Sequence, residues 1–121
     1  MSQLPACVSF ARALLMGPPP AGNLAVPVFA HGSLVVELYT PTRQDPQVSH
    51  DRDEIYVVAR GTGSFSIGAD RCAVETGTFI FVNAGQPHHF DTFSEDFAVW
   101  VFFYGPKGGE APPATDAEPG S

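Results

Sequence analysis

His50-Asp51-Arg52-Asp53-Glu54 runs directly into Ile55-Tyr56-Val57-Val58 and, six residues past the glutamate, reaches Gly61. Farther on, Gly77-Thr78-Phe79-Ile80-Phe81-Val82-Asn83-Ala84-Gly85 leads through Gln86-Pro87 to His88. Each stretch sets metal-capable side chains among β-branched and aromatic residues, the composition of a strand. His50 and Glu54 are four apart, and on an extended strand an even spacing aims both at one face. The same spacing fits one face of a helix. Asp51 and Asp53 are poor helix formers, however, and the β-branched run that follows favours the strand. His88 follows a Gly-Gln-Pro turn that swings the chain into its next strand. Neighbours on a strand face opposite ways, so if His88 points inward, His89 points out. Two imidazoles and one carboxylate suit a divalent first-row metal, and with open positions they form the facial triad of non-haem iron sites. Singly, each stretch reads as well as a charged loop or a lining histidine; together they point to a metal centre.

Around these stretches the chain is punctuated at strand intervals. Runs at 24–30, 34–40, 54–60, 64–67, 72–75, 78–82, 88–93 and 97–104 read as short strands. Gly32-Ser33, Gly61-Thr62-Gly63, Gly68-Ala69-Asp70 and Thr76-Gly77 mark turns between them. About eight strands at this spacing predict an antiparallel sandwich or barrel. Before them, residues 1–23 form an N-terminal arm in which Ser9 caps a short helix through Met16, closed by Gly17-Pro18. After Tyr104 the composition turns to Pro, Gly and Ala without apolar pattern, and residues 106–121 read as a flexible tail.

Composition bounds the rest. The chain has 121 residues, 44% hydrophobic and 16% charged, with ten Phe: one domain with an aromatic core. A net charge of −7 with six Lys and Arg and no basic stripe argues against nucleic acid and anionic membranes as partners. Cys7 and Cys72 make no disulfide framework and read as two reduced thiols. The N-terminus lacks a basic leader, Arg12 interrupts its apolar stretch, and no run reaches transmembrane length. The expected location is the cytoplasm. No G-x-S-x-G elbow, phosphate-binding glycine loop or C-x-x-C pair is present.

The paired stretches resemble the two signature motifs of the cupins, small β-barrels that usually hold a metal with residues from both. The first family motif runs G, five residues, H-x-H, three or four residues, E, six residues, G. His50 stands at its second histidine, Glu54 at the glutamate and Gly61 at the closing glycine, while Val48 replaces the first histidine and Thr42 the opening glycine. The second runs G, five residues, P-x-G, two residues, H, three residues, N. Gly77, Gly85 and His88 match it, with Asn83 for the proline and Thr92 for the asparagine. The resemblance covers about residues 34–104. It implies an all-β fold, an antiparallel double-stranded β-helix or jelly-roll barrel over residues 24–105.

It also implies one divalent metal ion (zinc, iron, manganese or nickel) on His50, Glu54 and His88. Val48 cannot coordinate, so water or the neighbouring Gln47 completes the shell. The parity of Gln47 opposes that of His50 unless a bulge intervenes. The alternative is a metal-free descendant that keeps the barrel. Trp100 and the aromatic residues of the last strand are core residues, of which an inward-facing one would line the ligand pocket. The expected partners are a small-molecule ligand and a second copy of the chain, since a short barrel with aromatic strands leaves apolar surface to cover. The function implied is a metal-dependent enzyme of dioxygenase, isomerase or lyase type, with no catalytic residue assigned. A non-catalytic module binding a small molecule or sugar is the alternative, and an empty structural barrel a third.

Overall fold

Alternation of inward and outward side chains on Asp53–Arg60 organises the molecule. In the computed structural model, which describes residues 6–17, 19, 24–42 and 49–111, this is strand β3, with Glu54, Tyr56 and Val58 buried and Ile55 and Val57 less so. The strands are β1 (Ala25–His31), β2 (Leu34–Tyr39), β3, β4 (Thr62–Ile67), β5 (Asp70–Glu75), β6 (Phe79–Val82), β7 (His88–Phe93) and β8 (Ala98–Tyr104). Every pairing is antiparallel. A five-stranded sheet in the order β1-β2-β8-β3-β6 faces a three-stranded sheet in the order β5-β4-β7. All eight expected strands are present, with ends moved by at most two residues.

The core lies between the sheets. Tyr56, Val58, Val99 and Val101 from the larger sheet meet Phe65, Val74 and Phe90 from the smaller. Phe65 and Phe90 approach at 4.8 Å and Phe90 and Phe97 at 5.0 Å between ring centroids. Burying each such ring stabilises the fold by about 1.5–3 kcal/mol. Gly61 closes β3 at φ +91°, a region that L side chains rarely adopt, and a Cβ there would press on Ser94 and on the Cα of Phe97.

The outer face of the larger sheet is apolar too, because the N-terminal arm lies on it. Helix α1 (Phe10–Leu14) is capped by Ser9, whose hydroxyl accepts the Arg12 N–H at 3.0 Å. A five-residue helix is marginal alone, and packing sustains this one. Ala13 is fully buried against Leu38 and Ala98, with Val8, Phe10, Val28 and Trp100 around them. The helix stops before the expected Met16. Leu15 and Met16 donate instead to Arg12 and Ala13, three residues back, in a tightened last turn. No helix among the described residues is long and apolar enough to cross a membrane.

The stretch expected to begin a tail at Pro106 first folds back onto the barrel. Gly108 donates to the Asp51 carbonyl at 2.7 Å, and the Glu110 amide donates to the Asp53 carboxylate at 2.8 Å. The rest of that stretch, 112–121, lies outside the described residues.

Candidate metal centre

Two sheets supply one cluster. Glu54 points inward from β3, His88 is the first residue of β7 in the opposite sheet, and His50 lies three residues ahead of β3. His50 is therefore not on the strand, yet it converges on Glu54 as the four-residue spacing predicts. A 2.6 Å hydrogen bond from the Gly85 amide to the His50 carbonyl holds it there, and Arg52 donates twice to the Ser33 carbonyl, at 2.7 and 3.0 Å. Nε2 of His88 lies 3.3 Å and Nε2 of His50 3.9 Å from Oε1 of Glu54. One ligand atom from each of the three falls within 4.8 Å of the others.

The electrostatics of the cluster fit a cation. Glu54 is 1% exposed and neither of its oxygens has a hydrogen-bond partner among the described residues. Burying an unsatisfied polar group costs about 1–3 kcal/mol, and more when it is charged. A divalent ion held between that carboxylate and the two imidazoles would offset the penalty. The Nδ1–H of His88 donates to the Gln86 carbonyl at 2.8 Å, which leaves Nε2 as the acceptor turned toward Glu54. Tyr56, buried on the same face of β3, directs its hydroxyl to that nitrogen at 3.1 Å. Phe103 packs edge-on against His50 at 5.2 Å, and Phe65 lies 6.0 Å from His88, so an apolar wall surrounds the donors.

Other expected residues fall variously. His89 points outward, 49% exposed, and pairs with Asp91 at 2.7 Å, as strand alternation requires. Ser66 and Arg71 also bind Asp91, and the Ser66 hydrogen bond chiefly holds its carboxyl below the ordinary range. Gln47 and Val48 lie outside the described residues. Trp100 does not line the interior. It sits on the outer face with Val57 and Phe102, along a groove of about 560 Å³ under the N-terminal arm. Alternation turns Val99, Val101 and Phe103 inward, so the inward aromatic of the last strand is Phe103.

Glu37 was not foreseen. It lies on β2 opposite Val101, and its carboxyl is raised by burial, with Glu54 adding to the rise and His50 opposing it. A lone carboxylate within the apolar run Leu34-Val35-Val36-Glu37-Leu38-Tyr39, in phase with the core residue Tyr39, was the available signal.

Comparison with known proteins agrees with this architecture. A curated protein of Streptomyces coelicolor, described as uncharacterized protein SCO3923, is 36% identical over 63 residues, covering 52% of this chain and 60% of that one. The crystal structure of the DMSP lyase DddQ from Ruegeria pomeroyi is similar at a TM-score of 0.56 and 26% identity, covering 64% of this chain and 41% of that chain. A cupin-2 domain protein from Shewanella frigidimarina superposes at a TM-score of 0.62 and 12% identity, covering 78% and 91%, a likeness of fold. This chain thus spans well under two thirds of the lyase's length and somewhat under two thirds of the Streptomyces protein's. The model of the Cupin_2 family, the cupin domain, matches residues 35–104, which is more than half of the sequence and includes His50, Glu54 and His88, and the chain belongs to that family.

Proposed function

We propose that His50, Glu54 and His88 bind one divalent metal ion (zinc, iron, manganese or nickel), and that the centre is catalytic on a small organic molecule. The observation that carries the reading is the buried Glu54 carboxylate, without a hydrogen-bond donor among the described residues, facing two imidazole nitrogens. Held by His50, Glu54 and His88 with positions left open, such an ion would supply Lewis acidity toward a substrate oxygen. The chain's own residues provide the surroundings. His50 and His88 would enter as neutral imidazoles, the Gln86 carbonyl fixes the tautomer of His88, and the rings of Phe65 and Phe103 flank the two histidines. The Tyr56 hydroxyl, hydrogen-bonded to His88, and the Glu37 carboxyl, which interacts electrostatically with His50 and Glu54, are candidate proton carriers.

Among dioxygenase, isomerase and lyase chemistry, the similarity to DddQ, together with a second DMSP lyase structure at 25% identity and a TM-score of 0.51, favours the lyase type. Water, or Gln47, completes the coordination. A second copy of the chain covers the edge strand β6 of the larger sheet, where Phe79 and Phe81 are 62% and 40% exposed. The two exposed free thiols, Cys7 and Cys72, suit a reducing cytoplasm.

Elemental analysis of protein purified without added metal is the first test. It should find about one ion per chain, lost in His50→Ala and His88→Ala and retained in His89→Ala. Equal loss in all three overturns the ligand assignment. The loaded forms are then screened against carboxylic acids, sugars, diketones and DMSP. Tight binding without turnover in every metal form establishes the alternative, a non-catalytic binding module. Light scattering at tens of micromolar reads the dimer.

A further inference from the structure

Asp53 sits beside Glu54, and strand alternation alone would turn it to solvent. It is 3% exposed. Its two oxygens are divided between two remote segments: Oδ1 accepts the Ala84 amide at 2.9 Å and Oδ2 accepts the Glu110 amide at 2.8 Å. Ala84 lies in the turn that launches β7 and His88. The adjacent Gly85 amide donates to the His50 carbonyl at 2.6 Å, so two ties join the segment carrying His50 to the one carrying His88. On the outside, Gly108 donates to the Asp51 carbonyl and the C-terminal turn covers the carboxylate. Gly109 fits there only without a side chain, because its Cβ would lie 2.8 Å from Oδ1 of Asp53 and its φ is +90°.

We infer that Asp53 is a positioning residue: by holding the Ala84 turn and the Glu110 segment at once, it sets the spacing of His50 and His88 and thereby the affinity of the centre they form with Glu54. This rests on the metal reading above. His50 precedes β3 and lies outside its hydrogen-bonded ladder. A misplaced donor weakens a metal centre. The ties to Ala84 and Gly85 link its segment directly to the turn that leads to His88.

The test is calorimetric titration of the metal-free chain with zinc and with manganese, for the parent, Asp53→Asn, Gly109→Ala and His89→Ala. Melting temperature in chelator and amide exchange are measured on the same proteins. Asparagine keeps one acceptor oxygen, so one tie is lost and affinity should fall by about tenfold to a hundredfold, the usual cost of losing a group that orients a ligand. Gly109→Ala presses on the carboxylate without altering it and should lower affinity in the same direction, which decides the matter if Asp53→Asn does not fold. His89→Ala should bind as the parent does. Parent-level affinity in both clasp variants, whatever their melting temperature, overturns the inference. If the parent itself binds neither metal, the metal reading fails, and the positioning role is judged on exchange alone. Faster exchange at Ala84 and Gly85 in Asp53→Asn, with the β3–β8 ladder unchanged, supports it; unchanged exchange at both sinks it.

Discussion

Replacing Glu54 with Gln separates a metal ligand from a structural carboxylate, because the two readings predict opposite orders of stability. Without metal, the carboxylate is buried and has no hydrogen-bond donor among the described residues. The penalty for such a group is about 1–3 kcal/mol, and larger for a charge. Gln keeps the shape and removes the charge that faces Nε2 of His88, 3.3 Å from Oε1 in the parent. In chelator the metal-free variant should therefore exceed the parent by about 1–2 kcal/mol. For a domain of this size that is roughly 3–8 °C in melting temperature.

Metal should reverse the order. At one hundred times its dissociation constant, an ion stabilises the parent by about 2.7 kcal/mol. If the amide binds a hundredfold more weakly, the variant gains only about 0.4 kcal/mol, and the parent overtakes it. Thermal melts of both proteins, in chelator and in saturating zinc or manganese, read the crossing. A variant that melts below the parent in chelator, or an equal rise with metal in both, refutes the reasoning.

Three further outcomes follow from the same packing. Phe65→Ala removes a fully buried ring that touches Tyr56, Phe90 and His88, so urea unfolding should show a loss of about 3–5 kcal/mol and metal affinity should fall with it. Gly61→Ala forces a Cβ against Ser94 and Phe97 at φ +91° and should cost about 2 kcal/mol or more, whereas a neutral result would mean the turn relaxes freely. In the metal-free protein Glu37 makes stability fall with rising pH: its carboxyl titrates above the ordinary 4.5, so the folded chain holds more protons than the unfolded one between those two values. That contribution is complete below 4.5 and lost as pH rises through the raised value. Glu37→Gln should flatten that part of the stability profile, and an unchanged profile would contradict the assigned burial.

What was legible in the sequence is what depends on neighbours along the chain. Turn glycines and period-two runs place all eight strands, Ser9 marks the helix start, and the spacing around His50, Glu54 and His88 brings them together. What was not legible depends on which strands become neighbours. Glu37 reaches the interior near the centre because β8 lies between β2 and β3, an order no local pattern encodes. The phase of β8 was ambiguous for a related reason. Val99-Trp100-Val101-Phe102-Phe103 is apolar on both faces, since one packs the core and the other receives the N-terminal arm, so composition could not tell Trp100 from Phe103. Asp53 violates alternation because a segment 57 residues downstream covers it. A carboxylate next to a ligand-type glutamate reads as a charged loop until that distant turn is in place. Residues of this kind are where tertiary structure adds information, and Asp53 is the one on which the spacing of the two histidines now turns.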